Sequence, residues 1–435
     1  MQHLTQILDS LKKQDNYRVL RDFRHSGAYL LQGQKKLLNF ASNDYLGIAN
    51  NKKIYHKFYQ WLESKECKNF RKSLLFSSSS SRLLSGGFCV FEAFEEYLDS
   101  MFYPKKSLLF NSGYHLNISL LQALGSLPRS LFLLDYFMHA TVIDGVRLSG
   151  ADFKRFRHND ILHLRELLES RASNYEHIFI VSEGVFSMEG DLAFLSEIIA
   201  IKNEYKKLGK NIYIYLDEAH SVGVFGKGLD VHKSTNSTNK LPKNFLSDFE
   251  VKNDGLGLAR ALGLQWQVDF LVFTFGKAIG SVGACVICDK KYREFFVNKA
   301  RGLIYSTALP PINVAFSYFV FLQLCNGTKT ITTQRKNLTK LSAFFSYKLA
   351  KIACKYHLNL RGNTQILSLI LGQNIKALNL AKKLESSGIY APAIKHPTVP
   401  DNTARIRFSL NANISLQEAQ HTLEILEKHI KSILK

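Results

Sequence analysis

Cysteine is scarce in this 435-residue chain, at 6 in all, and proline (8), methionine (4) and tryptophan (2) are scarce too. Six thiols over such a length do not make a disulfide framework; they read as the reduced cysteines of a cytoplasmic protein. With only 26 glycines beside the 8 prolines, collagen-like and low-complexity architectures are excluded. No run approaches the roughly 18 uninterrupted apolar residues of a membrane-spanning helix. The stretch Met1–Leu8 is amphipathic and lacks the apolar core of a secretory signal. Acid is short as well: 36 Asp and Glu stand against 57 Lys and Arg, a formal net charge of +21. That excess admits a nucleic-acid or membrane partner, anionic small substrates, or a solvated basic surface. What is plentiful is ordinary core material, 46% hydrophobic residues, in a chain long enough for two or three domains.

Cys285 and Cys288 form a lone C-x-x-C, but they sit in the apolar run 282–288, which reads as a buried strand, and no second Cys or His pair has zinc spacing. No metal site is expected. Residues 1–24 read as a helix carrying Leu4, Leu8 and Leu11 at helical spacing, and 37–41 as a short strand. The runs 107–110, 130–134, 178–182, 212–216 and 270–274 are short and nearly all apolar, and helical or loop segments separate them. Strands apolar on both faces and joined through helices predict an α/β fold with a mostly parallel sheet covered on both sides. Such sheets bind ligands beyond the carboxyl ends of their strands. A long helix is expected from Tyr305 to about Leu324, then a smaller α+β unit with strands at 366–371 and 404–410 and helices at 373–386 and 416–434. The expected organisation is an N-terminal arm (1–45), a large domain (46–300) and a linking helix with a small C-terminal domain (301–435). Within the large domain, 231–254 is polar and aperiodic and reads as a loop insertion.

The residues just after the apolar runs carry the chemistry. Asp217 ends the run 212–216, and Lys277 follows Thr274-Phe-Gly directly after 270–274. Alone, the acid reads as a helix cap or a core ion pair, and the lysine as an exposed loop residue. Together they are what pyridoxal phosphate (PLP) chemistry needs: an amine to condense with the cofactor aldehyde, and a carboxylate to keep the pyridine nitrogen protonated. Ser112-Gly-Tyr114 opens a helix whose free N–H groups suit a phosphate. His139, which alone reads as a packing histidine, could stack on a flat ring, and Ser187 offers a hydroxyl after the run 178–182.

With these residues in view the sequence resembles the α-oxoamine synthases, fold-type I PLP enzymes that condense an amino acid with an acyl thioester and release CO2. The matching segments are 38–47 (Leu-Asn-Phe-Ala-Ser-Asn-Asp-Tyr-Leu-Gly), Ser187-Met-Glu-Gly-Asp191, 216–223, Thr274-Phe-Gly-Lys-Ala278, 303–311, Pro397-Thr-Val-Pro400 and Thr403-Ala-Arg-Ile-Arg407. They lie in order across most of the chain. The wording Thr-Phe-Gly-Lys, Ile-Tyr-Ser-Thr and Pro-Thr-Val-Pro is most similar to members that join L-alanine to a pimeloyl thioester, on coenzyme A or an acyl carrier protein, in biotin biosynthesis. The resemblance implies Lys277 as the lysine that bonds the cofactor and moves the α-proton, and Asp217 as partner of the pyridine nitrogen. It implies His139 on the ring face, His220 and Ser187 near the ring hydroxyl, and Ser112, Gly113, Tyr114 and Thr274 around the phosphate. Ser306 and Thr307 would reach the neighbouring subunit's cofactor, which makes a homodimer obligatory. Arg407, with Arg405 on the same strand face, and Asn43 would bind the amino-acid carboxylate, and Arg21 would be a second anion site.

Two departures from the family pattern stand out. Five serines, Ser77–Ser81, replace a glycine-rich turn, and Phe88–Glu92 lacks a histidine expected before its helix. Serine takes positive φ less readily than glycine, so a different loop path is expected there. Two rivals remain: a sister enzyme using glycine or serine with another acyl-CoA, and a basic nucleic-acid-binding protein. Binding to nucleic acid calls for clustered Lys and Arg interleaved with exposed aromatics, whereas the basic residues here are spread through every segment. Neither a nucleic acid nor a membrane is expected as a partner.

Overall fold

The N-terminal helix is shorter than its leucine spacing suggests. In the computed structural model, which describes residues 1–227 and 253–433, it spans Gln2–Lys13. Asp15 then takes φ +56, a left-handed conformation that Asp tolerates and that a right-handed helix cannot continue through. The helix expected to run to residue 24 is corrected accordingly. Three short strands follow, β1 (Arg24–Ser26), β2 (Tyr29–Gln32) and β3 (Lys35–Asn39), paired antiparallel in sequence order.

The central sheet holds β4 (Lys106–Phe110), β5 (Ser130–Asp135), β6 (Asp152–Phe156), β7 (His177–Glu183), β8 (Asn211–Asp217), β9 (Phe270–Thr274) and β10 (Ala284–Cys288). Their order is β4-β10-β9-β8-β7-β5-β6. All neighbours run parallel except β10, which is antiparallel to both β4 and β9. Side chains alternate between two buried layers. Phe132, Leu134, Phe179 and Val181 enter one, with the helices Gly113–Gly125 and Ala140–Ser149 over them; Leu131, Leu133, Ile178 and Ile180 enter the other. Cys285 and Cys288 fall in opposite layers, so the C-x-x-C spacing brings no pair of thiols to one point. The strand β6 went unread because its sequence, Asp-Phe-Lys-Arg-Phe, is polar, as suits the edge of a sheet.

The expected helix from Tyr305 starts six residues late, at Pro311, and ends at Cys325. Pro310 disfavours a helical Leu309, and Pro311 fits the first helical position, where no N–H is needed. A 27-residue helix, Lys329–Lys355, leads to β11 (Asn359–Arg361), β12 (Ile366–Gly372), β13 (Ile389–Tyr390), β14 (Ala393–Ile394) and β15 (Ala404–Ser409). Four of these form an antiparallel sheet in the order β11-β12-β15-β14, while β13 pairs parallel with β3 of the arm. The helices Asn374–Ser386 and Leu416–Ile433 stand where their periodicity places them. The insertion read at 231–254 lies outside the described residues except for Asn253 and Asp254. Among the described residues no helix is long and apolar enough to cross a membrane.

Candidate functional site

The carboxyl ends of β4, β7, β8 and β9 open onto a cavity of about 330 Å³. Asn43, Ser112, Gly113, Tyr114, His139, Asp217, His220, Thr274 and Lys277 line it, as the strand-end rule required. Asp217 is buried and fixed from two sides: Asn117 Nδ2 donates to Oδ2 and the Ala219 N–H to Oδ1, both at 3.0 Å. Tyr215 steadies Asn117 through a 2.6 Å hydrogen bond. Lys277 Nζ lies 2.9 Å from His220 Nε2, and Tyr45 Oη 2.5 Å from His220 Nδ1.

Burial governs the ionisation of this set. It lowers the pKa of Lys277, against the pull of Asp217 and Glu183, and drives His220 well below the ordinary imidazole value with help from the charges of Lys277 and Arg407. It lowers His139 as well, against Asp217, and holds the Tyr45 hydroxyl protonated by raising it to about 12. With His220 neutral, Tyr45 donates to Nδ1 and Nε2 faces the Lys277 amine. Glu183, pushed up to about 8 by burial and then by Asp217, accepts from the N–H groups of His139 (2.8 Å) and Ser187 (3.1 Å).

The end of the cavity away from Asp217 and Lys277 is built from backbone and one hydroxyl. Ser112 caps the helix Gly113–Gly125 by accepting from the His115 N–H, which leaves the first-turn N–H groups facing the cavity. A Cβ on Gly113 would lie 2.5 Å from Thr274 Cγ2, so only glycine allows this approach. The Thr274 hydroxyl is buried and has no hydrogen-bond partner among the described residues. An orphaned hydroxyl beside a helix N-terminus, with an amine and a carboxylate across the cavity, fits PLP: phosphate at one end, pyridine nitrogen at Asp217, aldehyde at Lys277.

The other expected residues are placed less uniformly. Ser187 lines an adjoining cavity of about 480 Å³ that shares His139 with the first. Arg407 is buried and donates to Ser187 O (2.7 Å), Ser409 Oγ (2.9 Å) and Asn43 Oδ1 (3.2 Å), with no carboxylate in ion-pair range among the described residues. Arg405, two residues away, is fully buried and paired to Glu189 at 2.7 Å. Its charge is already used, and it does not reach the cavity. Arg21 stands apart too, paired to Glu385 and hydrogen-bonded to Gln32 beside the rings of Phe23 and Tyr390. Ser306 Oγ and Thr307 O accept from Asn111 Nδ2 of their own chain, just outside the cavity. In the serine run, only Ser79 takes positive φ, at +53. Ser78 donates to Leu309 O, and the Ala308 N–H donates to Ser80 O, so this loop is tied to the segment that carries Ser306 and Thr307.

Three site residues escaped the sequence reading. Glu183 ends β7 in the same ligand-facing position as Asp217 ends β8, a signal open to the same rule. Asn117 lies one helical turn beyond Gly113, and Tyr45 sits inside the quoted segment 38–47.

Comparison with known proteins shows the family. Residues 35–426 match the family described as aminotransferase class I and II. A protein of Glaesserella parasuis serovar 5, provisionally named 8-amino-7-oxononanoate synthase, is 40% identical over 426 residues, 98% of this chain and 100% of that protein. One from Neisseria meningitidis, with the same provisional name, is 40% identical over 95% of this chain and 97% of its own length. Among solved structures, the 8-amino-7-oxononanoate synthase of Francisella tularensis superposes with a TM-score of 0.67 at 26% identity, covering 91% of this chain and 98% of that one. A structure of SPT with PLP gives a TM-score of 0.80 at 22% identity, over 99% and 97% of the two chains. The chain belongs to the aminotransferase class I and II family and, within it, to the PLP-dependent α-oxoamine synthases of fold-type I.

Proposed function

We propose that the protein condenses L-alanine with a pimeloyl thioester, releasing CO2 and the free thiol and forming 8-amino-7-oxononanoate for biotin synthesis. The observation that carries this reading is the convergence of Lys277, Asp217 and His139 on one cavity in a chain 40% identical, over nearly its whole length, to proteins named for that product. PLP, when bound, supplies an electron sink for the substrate α-carbon. Lys277, whose amine burial turns toward the neutral form beside His220, would bond the cofactor and carry the proton of the substrate α-carbon. Asp217, clamped by Asn117 and Ala219, keeps a proton on the pyridine nitrogen. His139 would pack against the cofactor ring, and His220 and Ser187 would address its hydroxyl. Thr274, Ser112 and the N–H groups of Gly113 and Tyr114 hold the phosphate. Arg407, whose charge meets only neutral acceptors, takes the alanine carboxylate together with Asn43. Ser306 and Thr307 complete the partner's phosphate site in a homodimer.

The test is the mass of the product after incubation with alanine and either pimeloyl-CoA or pimeloyl-acyl carrier protein. The expected product is 8-amino-7-oxononanoate, with one thiol and one CO2 released per turnover. Thiol release with serine or glycine and another acyl-CoA, but none with alanine and either pimeloyl thioester, would assign the chain to a sister reaction.

A further inference from the structure

Outside the cofactor cavity lies a partly buried ionisable group, His158, for which the chemistry above has no use. It follows β6, and its ring is held at both nitrogens: Nδ1 is 2.9 Å from Asp135 Oδ1, and Nε2 is 2.9 Å from Asp191 Oδ2. Burial opposes a charge there, but the two carboxylates outweigh it and push the imidazole up to about 10, so both nitrogens donate. Two aromatic rings complete the enclosure, Phe137 at 4.7 Å and Phe186 edge-on at 4.4 Å between centroids.

Each pair of contacts is divided between the same two loops. Asp135 ends β5, and Phe137 lies in the segment after it that carries His139; Phe186 and Asp191 belong to the segment after β7 that carries Ser187. Asn159, the next residue, repeats the tie: its N–H donates to Asp135 Oδ2 at 2.9 Å and its side-chain amide to Leu192 O at 3.0 Å. At the cavity Glu183 joins the same loops once more, through the N–H groups of His139 and Ser187. Both loops also line the 480 Å³ cavity, through Tyr136–Ala140 and Ser187–Glu189.

We infer that His158 is a positioning residue, a two-ended clamp that sets the separation of the His139 and Ser187 loops and so the fit of the cofactor between them. A doubly protonated imidazole is suited to this work because it is flat, donates in two opposite directions and carries the charge that two carboxylates require. No uncharged side chain of similar size does all three.

The experiment compares wild type with His158→Gln and Asp191→Asn, the second as the milder change that leaves His158 and Asp135 in place. Two quantities are read: the affinity of the apoprotein for PLP, and amide hydrogen exchange across the chain. Opening one end of the clamp should weaken PLP binding by about tenfold in His158→Gln and by about threefold in Asp191→Asn. Exchange should rise at 136–139 and 184–189 and stay unchanged in β8, at 212–216. PLP affinity within about twofold of wild type in both variants would overturn the inference. So would loss of protection that spread equally through 212–216, because His158 would then support the whole fold rather than the two loops. If His158→Gln does not fold, the same two readouts on Asp191→Asn decide the question.

Discussion

Two clusters of ionisable side chains, one buried and one partly exposed, lie against the same pair of loops and behave in opposite ways. Around His158 one imidazolium lies between two carboxylates of the protein, and ion pairing overrides burial. Around Lys277 burial prevails: the lysine and both histidines move toward their neutral forms, and Glu183 rises to about 8. Strand β15 repeats the contrast over two residues, since Arg405 is neutralised by Glu189 whereas Arg407 meets only neutral oxygens. In these clusters the protein pairs the first kind of charge itself, and we propose that Lys277 and Arg407, with no carboxylate in ion-pair range among the described residues, are reserved for ligands.

Replacing Lys277 with Ala strikes the unsatisfied cluster hardest. Turnover of alanine and pimeloyl-CoA should fall by at least about 10³-fold with little change in unfolding midpoint, since a buried amine without a full counter-charge is removed. Asp217→Ala should come next, at roughly 10²-fold or more in kcat, with weaker PLP binding by equilibrium titration. The two arginines then separate the classes most cleanly. Arg407→Ala should raise the KM for alanine by about 10-fold or more, while Arg405→Ala leaves Glu189 only its longer pair with Arg361, at 3.5 Å, and should cost roughly 3 kcal/mol in urea unfolding. If both changes acted only on stability, the distinction between used and reserved charge would fail.

The paired cluster makes a weaker, pH-dependent prediction. His158 titrates near 6.5 unfolded and near 10 folded, facing the carboxylates of Asp135 and Asp191. The folded state therefore binds the extra proton between those values. Its contribution is complete below about pH 6.5 and is lost as pH rises toward 10. The urea midpoint should decline over that window in wild type, and less steeply in His158→Gln. The smallest effect belongs to Arg21→Ala, which breaks a partly exposed pair with Glu385 and should cost about 0–1 kcal/mol by the same assay.

Much of the cofactor cavity was legible because it obeys one local rule. Asp217, Lys277 and Ser112 follow apolar runs directly, and a parallel sheet delivers such residues to one edge. The small domain's two strands and two helices were legible from periodicity alone. Partners across the chain were not. Nothing in the spacing of Arg405 and Arg407 tells which of them finds Glu189, because Glu189 is more than 200 residues away. Arg21 was likewise taken up by Glu385. The errors at residues 15–24 and 305–310 had local causes, an aspartate in a left-handed conformation and a pair of prolines, that outweighed the hydrophobic pattern. The strand β6 escaped because an edge strand need not be apolar.

The reversed strand β10 sets a dimension that no side chain controls. Its first residue, Ala284, is paired with Phe110 at the end of β4 and with Thr274 at the end of β9. Those two ends therefore stand one strand further apart than direct neighbours, about 9–10 Å. Gly113 and Thr274 come together over that gap. Its gauge belongs to the hydrogen-bonding pitch of the sheet, so widening it means rebuilding a strand. Asn43, Arg407 and the walls of the second cavity can instead be altered one residue at a time. Redesign toward other amino acids or acyl chains has room at those positions, while the phosphate seat acts as a fixed datum from which every other distance in the site is measured.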